Sequence, residues 1–318
     1  MSPAAPGPGA ALTEAAAILG PRAERDVPLA PLCTYRVGGR AALFLRVRNR
    51  EDLGPVADAA RRTGLPVLVV GRGSNLLVAD AGFDGIALHL DDVFASVRIE
   101  GATVTAGGAA LMPVVARQTA RAGLTGFEWA VGVPGSMGGA VRMNAGGHGS
   151  DLAASITRAE VYDLGGDGAS WWKRDQLRLC YRSSALGPAH LVLDVELQLA
   201  PGNAAAAQEE LAEIVRWRRA HQPGGQNGGS VFANPPGDSA GRLIEAAGLK
   251  GHRFGTAEVS PRHANFIQVD PGGRADDVAG LMRHVQQVVR DRFGVVLRPE
   301  NHLIGFAPDA GPLPGREP

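Results

Sequence analysis

Apolar and polar positions alternate with two different periods along this chain, and the switches between them outline its elements. Over 51–63, Leu53, Val56, Ala57 and Ala60 recur at helical spacing, and Gly64 follows as a stop. LPVLVV (65–70) is continuous enough for a buried strand, and LLVAD (76–80) follows, with a turn at 82–85. IALHL, VRIEG and ATVTAGG read as strands, and 111–122 as a helix stopped by Gly123. AEVYDL, a GGDG turn, SWWK and the alternating HLVLDVELQL predict further strands. PGNAAAAQEE then opens a helix over 208–219. The last third holds GSVFANP, a helix over 239–247, HANFIQVD and a long helix over 275–293. That helix spaces Val278, Leu281, Met282, Val285, Val288, Val289 and Phe293 helically and stops at Gly294; its Met and valines are read as core. Residues 1–10 and 307–318 are Pro/Gly/Ala-rich and are expected to be disordered tails.

Two segments break both periods. GVPGSMGGAVRMNAGGHG (132–149) holds glycine at Gly132, Gly135, Gly138, Gly139, Gly146, Gly147 and Gly149. Such density is entropically costly, so bare backbone is needed there for unusual dihedrals or a close ligand. GRGSN (71–75) directly follows a buried strand and offers backbone amides to an anion such as a pyrophosphate. Leu76 stands where a dinucleotide fingerprint would need its third glycine, and no Gly-Lys-Ser/Thr follows for a P-loop. Either loop alone reads as a tight turn; together they favour a large phosphorylated ligand, which pattern does not name.

Composition narrows the classes. A chain of 318 residues has room for two or three domains, and 45% hydrophobic with 20% charged residues is ordinary for a soluble protein. Lys plus Arg and Asp plus Glu are both 32, so there is no basic field for nucleic acid. Aromatics at 5% are too few for base-stacking platforms. Cys33 and Cys180 form no metal spacing, the eight histidines show none, and a reduced, cytoplasmic protein without metal is expected. No stretch approaches the ~20 apolar residues that span a bilayer, and the start is a poor signal peptide, so no membrane is expected.

Several motifs in order resemble the UDP-N-acetylenolpyruvoylglucosamine reductase family. They are TYRVGG (34–39), GRGSNLLVADAGFDG (71–85), GFEWAVGVPGSMGGAVRMNAG (126–146), YRSS (181–184), GSVFANP (229–235) and GLKGHRFGTAEVSPRHANFI (248–267). The resemblance runs from about 30 to 306. It implies an α+β chain: a two-subdomain FAD-binding fold of the vanillyl-alcohol-oxidase (PCMH) type plus a C-terminal α+β substrate-binding domain. The expected boundaries are a partly disordered tail at 1–20, FAD subdomains at 21–98 and 99–204, a substrate domain at 205–306 and a tail at 307–318. It also implies a monomer with noncovalent FAD, NADPH as co-substrate, and reduction of UDP-N-acetylglucosamine enolpyruvate to UDP-N-acetylmuramate for peptidoglycan.

The resemblance assigns roles to residues. Gly71, Arg72, Gly73, Ser74, Asn75 and Leu76 would hold the FAD pyrophosphate. Gly132, Val133, Pro134, Gly135, Ser136, Gly139 and Asn144 would border the flavin, with Val133 and Pro134 as apolar wall. Hydride from flavin N5 would reach the vinyl carbon, and charge would spread into the substrate carboxylate. That charge calls for the Arg182 fork and Glu300 near the carboxylate, and Ser230 as proton donor. Glu300 would act protonated or through water. Tyr181, Asn234, Lys250, His263 and Asn265 are expected substrate contacts, although Lys250 reads equally as a surface lysine and His263 as a core histidine.

Three positions depart from the family pattern. His221 stands where lysine is usual, so any phosphate contact there would weaken above its reference pKa of ~6.5. Arg142 and His148 stand where aromatics are common. Two alternatives remain open: another flavin oxidoreductase of the same fold, and a non-catalytic nucleotide-sugar-binding protein.

Overall fold

The computed structural model describes residues 8–306; the tail expectations for 1–7 and 307–318 lie outside the described residues. The chain forms two compact units. Among the described residues, one comprises 8–27, 41–72 and 84–217; the other comprises 28–40, 73–83 and 218–306.

The first unit is built on two sheets. One orders its strands Glu24–Pro28, Arg40–Val47, Phe83–Leu90 and Val67–Val69, the last two parallel with Val67 opposite Ile86. Helix Leu53–Thr63 ends at Gly64, whose φ of 68° is the left-handed conformation a terminating glycine adopts without a Cβ penalty. Residues 8–19, inside the expected tail, form helix Pro8–Leu19. Its Ala15 and Leu19 share a core cluster with Val56, Ala59, Leu43 and Ile86. A run of alanines with Leu12, Ile18 and Leu19 has the propensity for helix, and core burial holds it there.

The second sheet of this unit is antiparallel, with five strands ordered Gly168–Lys173, Ile156–Asp163, His190–Gln198, Thr103–Gly107 and Val97–Glu100. Helices Met112–Arg121 and Met137–Met143 bury Met112, Val115, Ala116, Met137 and Val141 in its core. Helix Ala204–His221 begins four residues before the expected 208, because alanines 204–207 extend it.

In the second unit an antiparallel sheet orders Asn227–Ser230, Phe266–Val269, Ala257–Val259 and Arg253–Phe254. Helix Ala275–Phe293 buries Val278, Leu281, Met282, Val285 and Val289, with Val288 packed at the edge of that core. Phe293, expected on the same face, is instead 39% exposed at the last turn. A parallel pair joins Leu76–Val78 to His302–Ile304, with His302 opposite Leu76.

The long helix is capped from a distance. Its N-cap residue Arg274 makes no side-chain cap, but Asp80 accepts from the Ala275 amide at 2.9 Å and from Arg274 Nε at 3.1 Å. The carboxylate thereby satisfies an orphan N–H at the positive end of the helix. Replacing Asp80 with alanine is expected to lower unfolding free energy by about 1–2 kcal/mol, and Asp80→Asn by less, as read from urea denaturation midpoints.

Candidate active site

In the first unit the glycine cluster is more ordered than its sequence suggests. A helix missed by periodicity, Met137–Met143, sits inside it, capped by Ser136, whose Oγ accepts from the Gly139 amide at 3.4 Å. The segment lies along residues 108–112: Met137 N donates to Ala110 O at 2.8 Å, Gly138 N to Gly108 O at 2.9 Å, and Met112 N to Gly135 O at 3.0 Å. Gly71 meets the same segment. A Cβ on Gly71 would stand 2.6 Å from Ser136 Oγ, so a side chain there would displace the hydroxyl that caps the helix. Gly132 is buried beside His148 and Ile214, Val133 is half-buried and Pro134 exposed.

Asn144 ends this helix with φ 39°, a left-handed conformation that asparagine tolerates. Its buried amide donates to Asp151 Oδ2 at 3.0 Å and to Cys180 O at 3.1 Å, while its Oδ1 accepts from the Ala153 amide at 3.0 Å. One side chain thus joins the glycine cluster to the YRSS turn. In that turn Cys180 and Ser183 exchange both backbone hydrogen bonds, at 2.9 and 3.0 Å, which leaves Tyr181 and Arg182 at the tip. Arg182 holds φ 55°, a conformation that costs a non-glycine residue about 1 kcal/mol and is retained where surroundings enforce it. Its guanidinium donates to Gly146 O at 3.1 Å and lies 5.2 Å from the centre of the Tyr181 ring. Ser184 Oγ donates to Arg142 O at 2.7 Å, which fixes the turn's exit.

The second unit gathers the remaining motifs. Thr34 N donates to Gly73 O at 3.2 Å, and a Cβ on Gly73, at φ 57°, would strike the Leu32 carbonyl and Cys33. TYRVGG therefore braces the start of the 73–76 segment. Asn75 Nδ2 donates to Glu300 O at 3.0 Å, and His302 N donates to Asn75 O at 2.9 Å. Glu300 N donates to Val231 O at 2.7 Å, which ties the Glu300 backbone to the residue that follows Ser230. Arg182 belongs to the other unit. Ser74, Leu76, Ser230 and Glu300 are half-buried, whereas Arg72, in the first unit, is exposed.

Three expected substrate contacts have partners of their own. Asn265 is buried and staples the backbone of Phe232: it accepts from Phe232 N at 3.0 Å and donates to Phe232 O at 2.8 Å. Asn234 Oδ1 accepts from Ala240 N at 3.1 Å, and Lys250 pairs with Glu245 at 2.7 Å. His263 is half-buried, packs edge-on against Phe266, and burial pulls its pKa below the usual imidazole range, so the neutral form dominates near neutrality. Replacing Asn265 with alanine strands both polar groups of the buried Phe232 peptide; a loss of about 2–4 kcal/mol is expected in a urea melt.

Burial raises the Cys33 thiol to about 11, so it is inert near neutrality, and Cys180 is exposed. Among the described residues no group of three or more metal-ligating side chains occurs, and no helix is long and apolar enough to cross a membrane.

Comparison with known proteins names the assembly of motifs. The family model described as UDP-N-acetylenolpyruvoylglucosamine reductase, C-terminal domain, matches residues 221–304, and one described as FAD binding domain matches 41–169. UDP-N-acetylenolpyruvoylglucosamine reductase 2 of Symbiobacterium thermophilum is 42% identical over 296 residues, covering 90% of this chain and 94% of its own. This chain belongs to the UDP-N-acetylenolpyruvoylglucosamine reductase family. The reductase of Anaeromyxobacter dehalogenans is 43% identical over 288 residues, covering 90% of this chain and 87% of its own. The crystal structure of the reductase from Thermus caldophilus superposes with a TM-score of 0.78 at 37% identity, covering 89% of this chain and 99% of the other.

Membership makes the chain an FAD-containing oxidoreductase with the α+β fold expected from its motifs. The residues present fit that cofactor. The two glycine loops carry the cation Arg72 and the hydroxyls of Ser74 and Ser136, and neither GRGSN nor GVPGSMGG contains a carboxylate to repel a diphosphate.

Proposed function

We propose that this chain uses NADPH to reduce the enolpyruvyl double bond of UDP-N-acetylglucosamine enolpyruvate, giving UDP-N-acetylmuramate for peptidoglycan synthesis. The observation that carries this reading is the pairing of the Ser230 and Glu300 segments, held by the 2.7 Å bond from Glu300 N to Val231 O. FAD, when bound, supplies the hydride, having taken it from NADPH.

The chain's own residues do the rest. Gly71–Leu76 hold the diphosphate of the cofactor, and Gly132, Val133, Pro134, Gly135, Ser136, Gly139 and Asn144 border its ring system. As hydride adds to the terminal vinyl carbon, the π electrons move to the neighbouring carbon and into its carboxylate. The Arg182 fork, already oriented by Gly146 O, binds that carboxylate as its charge grows. Ser230 gives its hydroxyl proton to the carbanionic carbon and regains one from water. Glu300 acts beside the carboxylate in its protonated form or through water, since an ionised neighbour would oppose the charge that develops. Tyr181, Asn234, Lys250 and His263 contact the nucleotide sugar, and Asn265 fixes the backbone of Phe232.

In this reading 21–98 and 99–204 are the two halves of the FAD domain and 205–306 is the substrate domain. The protein works as a cytoplasmic monomer, and its product feeds cell-wall growth, cell shape and division. The test is a stoichiometry. Under anaerobic conditions, NADPH oxidation beyond the one equivalent that reduces bound FAD should require the enolpyruvyl sugar nucleotide, one for one, with a product heavier by two hydrogens. Equal NADPH consumption without that acceptor contradicts the reading.

A further inference from the structure

Tyr35 and Asn301 are buried polar residues that no part of the mechanism above uses. They begin a chain of hydrogen bonds within the second unit. Tyr35 OH donates to Asn301 Oδ1 at 3.1 Å; Asn301 Nδ2 donates to Gly228 O at 3.0 Å and to Asn75 Oδ1 at 2.8 Å; Asn75 Nδ2 donates to Glu300 O at 3.0 Å. Two of the acceptors are backbone carbonyls, which only accept, so the orientation of both amides is forced. Gly228 adds a steric constraint: a Cβ there would collide with the Tyr35 ring and stand 3.1 Å from Asn301 Nδ2.

We propose that Tyr35 and Asn301 are positioning residues that lock the strand of Ser230 and the backbone of Glu300 to the cofactor-loop residue Asn75. Both ends of the chain are functional segments: Gly228 lies two residues before Ser230, and Asn75 holds the Glu300 carbonyl itself. A satisfied buried network of this kind rigidifies what it touches, and a misplaced proton donor loses rate steeply with small displacements. The inference rests on the reductase reading and adds to it how the acid pair is aimed.

Asn301→Asp is the decisive variant, because it keeps shape and changes only donors. An ionised carboxylate faces the Gly228 carbonyl and Asn75 Oδ1 with no proton to give; burial and these neighbours raise its pKa, and the protonated form restores one donor. The acceptor half-reaction of the FAD-loaded variant should therefore fall about tenfold or more relative to the NADPH half-reaction. It should recover in part as pH is lowered toward ~6, with a steeper rise than native protein and Asn301→Ala show. Tyr35→Phe should lose less, and Tyr35→Phe combined with Asn301→Ala should be no worse than Asn301→Ala alone, since both act through one chain. FAD stoichiometry and near-UV circular dichroism establish that each variant is folded. Acceptor rates within twofold of native in Asn301→Ala and Tyr35→Phe overturn the proposal, as does a loss in Asn301→Asp that is flat with pH. Native protein that never reduces the acceptor overturns the reductase reading instead, so the two failures are distinct.

Discussion

Ser230→Ala should leave reduction of bound FAD by NADPH near its native rate and slow transfer to the enolpyruvyl acceptor by about 10²–10⁴-fold. The asymmetry follows from the chemistry. Hydride transfer from NADPH needs no proton from the protein at carbon, whereas the acceptor step generates a carbanionic centre that must be protonated. The substitution is gentle on the fold: Ser230 sits at the end of strand Asn227–Ser230, half-buried, and the strand's pairing to Phe266 uses backbone that alanine keeps. Stopped-flow absorbance separates the two half-reactions. An equal fall in both would make Ser230 structural.

Arg182→Lys should cost the acceptor half-reaction about 10–100-fold, the equivalent of one charge-assisted hydrogen-bond pair in the transition state. Lysine keeps the positive charge and meets the same left-handed backbone at φ 55°, so the comparison isolates the planar fork. The ammonium also lacks the planar fork through which the guanidinium binds Gly146 O. Arg182→Gly is the complementary control: it relieves the backbone and removes the cation. If relief of strain governs the rate, the glycine variant outruns the lysine one; the charge-and-fork account predicts that it is slower.

The parts of this molecule that follow from local pattern were legible in the sequence. Gly64 and Gly294 mark helix ends because a left-handed residue closes those turns, and the apolar stripe of 275–293 is buried where its spacing places it apart from the exposed Phe293. The glycine loops announced unusual dihedrals, and Gly73 at φ 57° and Gly149 at φ 84° hold them. The helix Met137–Met143 was illegible because Gly138 and Gly139 are poor helix formers; contacts with the Gly108 carbonyl and Val192 outweigh that propensity. The same limit hid Asn301, whose partners Asn75 and Tyr35 lie more than two hundred positions away, where no periodicity reaches. Asn265 did leave a signal: an amide set between buried Ala264 and Phe266 must find backbone partners, and it takes those of Phe232. Its burial makes it a staple for the segment that follows Ser230.

The central claim is that one protein carries both half-reactions, and an anaerobic visible spectrum tests it most directly. Protein loaded with FAD is titrated with NADPH and then with UDP-N-acetylglucosamine enolpyruvate. The account predicts a flavin absorbance that bleaches with the first addition and returns stoichiometrically with the second. Absorbance that bleaches and stays bleached would contradict it and point to a different acceptor.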